Sequence, residues 1–328
     1  METLLLSRSD IEAVLTMKDS IRVVEDAFKE KAEGIVQMPS RTWLYFTEYD
    51  GDFSTLCAYL PKMGIAGMKA DGYNPNNPQQ GLPRVTAIVI LNDPKTSFPI
   101  CVMNGTLITG MRTGAVGAVA AKYLARKDSK VICIIGAGVQ GRFQLMGLNE
   151  IFSIEEVRVY DIFTDASKKY ATEMSKKLGI PVEPCIDAEK AVRGADIIVT
   201  VTPSRKPIVM EEWIKPGVHI NAIGSDEPGK EELDPNILKK AKIVVDDYRE
   251  AMHRGEINVP LSKGIIKKED IYAELAEIVS GKKKGRESDD EITVFDATGL
   301  AIEDVAVGWE AYKKAKEKNL GKVVNLAL

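Results

Sequence analysis

The stretch KVICIIGAGVQG, residues 130–141, constrains this chain more than any other. It sets Gly136, Gly138 and Gly141 in a GxGxxG spacing directly behind an apolar run and ahead of a helical stretch that begins near Gln140. A strand that ends in such a loop needs its first glycine for the tight turn and its second so that backbone N–H groups can approach a pyrophosphate. The third lets the following helix pack close to the sheet. The triplet alone is weak evidence, and its context decides. The next apolar run, EVRVYD, ends on Asp161, roughly twenty residues past the last glycine, where a carboxylate can accept both ribose hydroxyls of an adenosine. The same carboxylate repels a 2′-phosphate, so the expected cofactor is NAD, although Lys168 and Lys169 follow closely.

From residue 130 onward the runs KVICIIG, EVRVYD, ADIIVTVTP, VHINAIG, AKIVVDD and EITVFDATG alternate with amphipathic helical stretches. That rhythm predicts a parallel sheet covered by helices on both faces. Ligands of such sheets sit outside the carboxyl ends of the strands. Thr202, Pro203, Asn221, Ile223, Gly224 and Asp226, in the segments that follow two of those strands, are therefore expected to border the cofactor.

The first hundred residues read differently, as α+β. Ile11, Val14, Leu15, Ile21, Val24 and Phe28 keep helical spacing, with Ser9 as the expected N-cap. Residues 43–59 are aromatic and β-branched around the turn-like YDGD, which predicts a hairpin. AGMKADGYNPNNPQQGLPR at 66–84 reads as a long polar loop, VTAIVIL and PICVM as buried strands, and GAVGAVAAKYLARKDS at 114–129 as a closely packed helix. The segment 301–319 is helical again, and KKKGRESDDE at 282–291 a solvated loop.

The fold class is thus α/β, a Rossmann-type dinucleotide-binding domain at 119–300 joined to an α+β substrate and dimerisation domain made of 1–118 with 301–328. The length of 328 residues suits two domains, and 44 basic against 48 acidic residues, a net charge of −4, argue against a nucleic-acid partner. Four cysteines without a CxxC and only two histidines exclude a zinc site or disulfide framework. No apolar stretch reaches the roughly 18 residues that span a bilayer, so the expectation is a reducing, cytoplasmic compartment.

Substrate groups are expected from the first domain. Arg41, Lys69 and Arg112 each stand beside Gly, Pro, Ser or Thr rather than in a charged surface helix. An arginine can grip a carboxylate through two parallel hydrogen bonds, and two cations near a lysine lower its pKa toward acid/base use. His219 lies in an apolar run and reads as a core residue, His253 lies at a polar helix end, and no GxSxG elbow is present.

Taken together, GMKADGYNPNNPQQGLP, TGMRTGAVGAVAAKYLA, IGAGVQG, NAIGSDEPGKEELD and VFDATGLAIEDVA resemble the ornithine cyclodeaminase/mu-crystallin family over nearly the whole chain, and most closely its archaeal alanine dehydrogenase branch. The resemblance implies an NAD-dependent enzyme acting on a small L-amino acid, a homodimer, and a last helix that returns to the first domain. It implies Lys69 as the catalytic lysine, Arg41 as the cation holding the substrate carboxylate, and Arg112, with Thr113, near both substrate and nicotinamide phosphate. Gly136, Gly138, Val139, Gln140, Asp161, Thr202, Pro203, Ile223, Gly224, Lys230 and Gly299 fall on its cofactor side. Asp226 matches the aspartate that receives the distal amine of ornithine in cyclodeaminases. One departure stands out: the strand leading toward the lysine carries a glutamate in cyclodeaminases and an arginine in the alanine dehydrogenase branch, whereas FSTLCAY offers neither, with Thr55 or a neighbour at that place. The expected reaction is reversible oxidative deamination of a small L-amino acid, with L-alanine giving pyruvate and ammonia. Redox-neutral cyclisation of ornithine to proline and reduction of a cyclic imine such as pyrroline carboxylate are the alternatives. Retention of the three cations together argues against a purely ligand-binding role.

Overall fold

The computed structural model describes residues 2–326, and Met1, Ala327 and Leu328, at the ends of the first expected domain, lie outside the described residues. The chain divides into two compact units, one running to Arg112 and resuming at Leu300, the other Thr113–Gly299. The sequence reading set these passages at 118/119 and 300/301. The first falls inside a single helix, Gly105–Leu124, whose small apolar residues continue across it without a break, so no local sequence signal marks it.

The first unit is built on a sheet of β1 (Thr3–Leu6), β2 (Thr42–Phe46), β3 (Gly51–Leu60), β4 (Ile65–Tyr73), β5 (Val85–Asn92) and β6 (Pro99–Asn104), completed by the short strand Lys322–Val324. The order is Lys322–Val324, β1, β6, β5, β4, β3, β2, with β1 and β6 parallel and the remaining neighbours antiparallel. Helix α1 (Arg8–Glu12) is capped by Ser7, not Ser9: Asp10 sits three residues after Ser7 and closes a capping box with it, which leaves Ser9 inside the first turn. Helix α2 (Met17–Ala32) is capped in the same way by Thr16 and Asp19. Its Val24 and Phe28 are fully buried, as are Ile302 and Val305 of the C-terminal helix Ala301–Glu317, which packs against α2, β3, β4 and β5. Burying each such side chain contributes about 1.5–3 kcal/mol, enough for this helix to define the core side of the sheet.

The expected hairpin at 43–59 is present as β2 and β3, turning through Thr47–Tyr49 and a left-handed Asp50. The expected loop at 66–84 is not all loop. Residues 65–73 form β4 in the middle of the sheet, and only the remainder, with the turn Asn77–Gln80, is irregular. Its glycines misled the reading. A side chain at Gly67 would come within 2.7 Å of the Ile90 carbonyl, so glycine marks a close approach between strands there rather than a turn.

The second unit carries an eight-stranded sheet formed by β7 (Val131–Ile135), β8 (Glu156–Tyr160), β9 (Val182–Pro184), β10 (Ile197–Thr200), β12 (His219–Ala222), β14 (Lys242–Val245), β15 (Ile271–Glu274) and β16 (Thr293–Asp296), with β11 (Arg205–Val209) and β13 (Glu231–Leu233) paired beside it. All its pairings are parallel, in the order β15, β14, β16, β12, β10, β7, β8, β9. The chain proceeds from β7 outward to β8 and β9, then returns to place β10 on the other side of β7. The carboxyl ends of β7 and β10 therefore flank a topological switch point, where open parallel sheets bind ligands. His219 is the core residue its context predicts: fully buried, with Nδ1 2.9 Å from Thr293 Oγ1 and Nε2 2.9 Å from Asn221 Oδ1. Burial pushes its pKa down to about 3, so the ring stays neutral. Among the described residues no helix is long and apolar enough to cross a membrane.

Candidate active site

In the first unit, β4 is the organising strand. Antiparallel pairing sets Ser54 of β3 opposite Asp71 and Leu56 opposite Lys69, and directly paired residues share a sheet face. Ser54, Lys69 and Asp71 consequently face the C-terminal helix, which supplies Glu303 and Asp304. Thr55 alternates to the opposite face. Of Thr55 and its neighbours, the one that faces the lysine's surroundings from β3 is thus Ser54.

The three expected cations come together here with three acids. Lys69 is fully buried, its Nζ 3.2 Å from Asp304 Oδ2 and 3.8 Å from Asp71 Oδ2. Arg112, at the junction in helix α3 (Gly105–Leu124), places Nε 3.2 Å from Asp304 Oδ1 and donates through Nη1 to Glu303 Oε2 at 2.8 Å. Arg41, just before β2, reaches Asp71 Oδ2 at 3.3 Å and stacks over Trp43, 4.6 Å from the ring centre. Ser54 Oγ donates to Asp71 Oδ1 at 2.6 Å.

The electrostatics separate the two inner cations. Burial lowers the Lys69 pKa, and Arg112 and Arg41 push it the same way, against the opposing pull of Asp304 and Asp71. For Arg112 burial also acts downward, yet Asp304 and Glu303 outweigh it and raise the pKa. The two shifts run in opposite directions: Arg112 holds its charge more firmly than a free guanidinium, and Lys69 gives up its proton more readily than a free lysine. Among the described residues its Nζ makes no hydrogen bond, and a donor is left for a ligand.

Asp71, Glu303 and Asp304 were not singled out in the sequence. Glu303 and Asp304 stand in the quoted AIEDVA motif without a role, and Asp71 was hidden by the loop reading, since residues two apart share a face only in a strand.

In the second unit the glycine loop has the form its spacing predicts. Gly136 follows β7 with φ +112°, a conformation for which glycine is suited, and a side chain there would meet the Val201 carbonyl at 3.0 Å. A side chain at Gly141 would come 2.5 Å from the Gly136 carbonyl, whereas Gly138 looks onto open space. Helix α4 (Val139–Asn149) starts at Val139 without a side-chain cap, so its first N–H groups are left for an anion. Gln140 Oε1 is buried without a partner among the described residues, Val139 is exposed, and Arg142 fixes the loop by donating to the carbonyls of Ala137 and Gly138. Asp161 accepts from Ala137 N–H at 2.9 Å and Phe163 N–H at 3.0 Å, which locks its carboxylate at the end of β8. These features fit a dinucleotide: an open cradle for a pyrophosphate, an uncapped helix start, and a carboxylate just past the end of the neighbouring strand β8.

The loops behind β10 and β12 are tied together by Glu232, missed in the sequence. Its Oε1 accepts from Thr202 N–H and Oγ1, both at 2.7 Å, and its Oε2 from Gly224 N–H at 3.0 Å. Burial first, against several hydrogen bonds that pull the other way, raises its pKa to about 7. Pro203 lies in the same turn as Thr202, and Ile223 N–H donates to the Thr200 carbonyl at 2.9 Å. Thr113 is buried, its carbonyl accepting from Gln144 Nε2 at 2.6 Å. Gly299 has φ +84° and donates its N–H to the buried Asp246 at 2.8 Å. Asn221 is not a ligand group: it is fully buried between His219 and the Gly117 carbonyl and joins β12 to α3. Asp226 is already engaged, accepting from Lys230 Nζ at 2.6 Å. Burial alone would lower the Lys230 pKa, but Asp226 and Glu227 more than offset it.

A parallel sheet with a pyrophosphate cradle at its switch point, together with a unit that buries a lysine among arginines and acids, defines the class: a dinucleotide-binding protein with a second, charge-lined unit. The chain belongs to the ornithine cyclodeaminase/mu-crystallin family, whose model matches residues 1–319. It is 50% identical over 325 residues to an alanine dehydrogenase of Archaeoglobus fulgidus, covering 99% of this chain and 98% of that protein. Among solved structures, an archaeal alanine dehydrogenase dimer with bound NAD superposes with a TM-score of 0.95 at 50% identity, covering 99% of this chain and 100% of that one. The Thermococcus litoralis Delta(1)-pyrroline-2-carboxylate reductase, in complex with NADH and L-proline, does so with a TM-score of 0.95 at 45% identity, covering 98% and 99%.

Proposed function

We propose that the protein is an NAD-dependent amino-acid dehydrogenase that reversibly deaminates a small L-amino acid, L-alanine to pyruvate and ammonia. The observation that carries the reading is the buried Lys69, whose pKa is lowered and whose Nζ lies 3.2 and 3.8 Å from two carboxylates that Arg112 and Arg41 also meet. The 50% identity to an alanine dehydrogenase over nearly the full chain supports the substrate.

NAD, when bound, accepts the hydride from the substrate's α-carbon. Gly136, Gly138, Val139 and Gln140 would hold its pyrophosphate, Asp161 its adenosine ribose, and Thr202, Pro203, Ile223, Gly224, Lys230 and Gly299 the remaining length. Arg112 and Thr113 would meet its nicotinamide phosphate. Arg41 would hold the substrate carboxylate. Lys69 would take a proton from the water that adds to the imine carbon and pass one to the departing amine, so that amino acid, water and oxidised cofactor become oxo acid, ammonium, reduced cofactor and one proton released to solvent.

The 45% identical pyrroline-carboxylate reductase favours a second reading, reduction of a cyclic imine by the same cluster. Cyclisation of ornithine has less support. Its diamine receptor, Asp226, is committed to Lys230 in this structure, and β3 has serine where the cyclodeaminase glutamate would face the lysine.

We further propose a homodimer. A related archaeal alanine dehydrogenase is described as a dimer, and here Leu44, Tyr45, Phe46, Tyr49 and Phe53 are exposed around the β2 edge, which in water would need covering. Four unpaired cysteines suit a reducing cytoplasm.

The mechanistic test is Lys69→Met. Turnover should fall by roughly two to four orders of magnitude while NAD binding stays within a few-fold of normal. Near-normal turnover would remove Lys69 from the chemistry.

A further inference from the structure

The six charged side chains of the Lys69 cluster are not equally accessible. Lys69, Glu303 and Asp304 have no exposed side-chain surface, Arg112 has 7%, Arg41 9% and Asp71 16%. Asp71 and Arg41 are thus the outer pair of the cluster, and Asp71 is the one acid in it that a ligand can reach. The inner acids have no exposed surface: Glu303 accepts from Arg112, and Asp304 lies 3.2 Å from both Lys69 and Arg112.

Asp71 is also incompletely engaged. Its Oδ1 is anchored by Ser54 Oγ at 2.6 Å, which fixes the direction of the carboxylate. Among the described residues its Oδ2 accepts one long hydrogen bond, from Arg41 Nη2 at 3.3 Å, and has Lys69 Nζ at 3.8 Å, against the 2.7–2.9 Å usual for a charge-assisted hydrogen bond. An anchored carboxylate with one loosely held oxygen has acceptor capacity left for an incoming N–H. The formal charges add a second argument. Three cations and three acids balance, so a zwitterion enters without a net change of charge, whereas an amine-free carboxylate adds an uncompensated negative charge to a mostly buried site.

We propose that Arg41 and Asp71 together form a zwitterion receptor, in which Arg41 takes the substrate carboxylate and Asp71 Oδ2 accepts from the protonated nitrogen on the α-carbon. Asp71 then determines specificity, favouring amine-bearing acids over amine-free ones of the same shape. The inference rests on the amino-acid reading above and assigns a residue that reading leaves without a role.

The test uses the full-length enzyme loaded with NAD and two probes. One is 2-aminoisobutyrate, a zwitterion with no hydrogen on its α-carbon to give up; the other is isobutyrate, its amine-free counterpart. Their dissociation constants are measured by titration calorimetry, which needs no turnover. Wild type should bind the zwitterion more tightly. Asp71→Asn should weaken the zwitterion about tenfold or more, the range for loss of a hydrogen bond to a charged group, and leave isobutyrate within threefold or bound more tightly. Asp71→Glu, which keeps the charge, should recover much of the preference, and it carries the test if the asparagine variant does not fold. Equal weakening of both probes would mean that Asp71 only holds Arg41 in place, and unchanged zwitterion binding would mean that it does not meet the amine. Either result overturns the proposal, as does a wild type that binds neither probe. Formation of NADH from amino acids by the wild type tells separately whether the amino-acid reading stands.

Discussion

Asp304 Oδ2 lies 3.2 Å from Lys69 Nζ, and both side chains are fully buried. The same carboxylate meets Arg112 through its other oxygen, so one acid on the C-terminal helix sets the field for both Lys69 and Arg112. Asp304 opposes the burial that lowers the Lys69 pKa, and removing its charge lets that pKa fall further. In Asp304→Asn the lysine limb of the kcat/KM profile should move to lower pH, read from initial rates across the pH range. A limb that stays put or moves upward would separate Asp304 from the lysine.

Glu232 gives the second unit a pH-dependent clamp. Its folded pKa, raised to about 7, stands above the ordinary glutamate value of 4.5. The folded state therefore holds more protons than the unfolded state between those two values, and this group's contribution to stability grows as pH falls through that window and is lost as pH rises through 7. Glu232→Gln cannot titrate, and it presents an amide N–H₂ to one of its partners. The stability advantage of wild type over the variant should widen as pH is lowered from 7 to 5, measured by urea unfolding at each pH. A constant or narrowing difference would contradict the raised pKa.

The exposed β2 edge makes an assembly prediction. A dimer of the 36.0 kDa chain should sediment at twice that mass. Replacing Tyr45 and Phe46, 69% and 44% exposed, by aspartate should shift it toward monomer without loss of secondary structure. Monomer in the wild type at micromolar concentration would leave that edge without a partner.

Much of the second unit was legible because its signals are local: strand, glycine loop, helix and acid follow one another along the chain, and the structure keeps that order from Val131 to Asp161. The cations Lys69, Arg41 and Arg112, each singled out by Gly, Pro, Ser or Thr nearby, do lie in one cluster. Their counter-ions were not singled out, because Asp304 reaches Lys69 across 235 positions of chain and Asp71 reads as a neighbour only once residues 65–73 are known to be a strand. Glycines shaped both outcomes. In the cofactor loop they marked the turn, and in β4 they suggested a loop although Gly67 answers to an adjacent strand. Long-range pairing register decides between these meanings, and a local pattern does not carry it.

The most direct test of the account follows NADH absorbance with purified protein, NAD and L-alanine, then with NADH, pyruvate and ammonia, while ammonia and proline are assayed in parallel from L-ornithine. NADH should appear with alanine and disappear with pyruvate plus ammonia, and ornithine should yield no proline. Ammonia and proline from ornithine without net NADH, or oxidation of NADH by a cyclic imine with no reaction of alanine in either direction, would contradict the central claim.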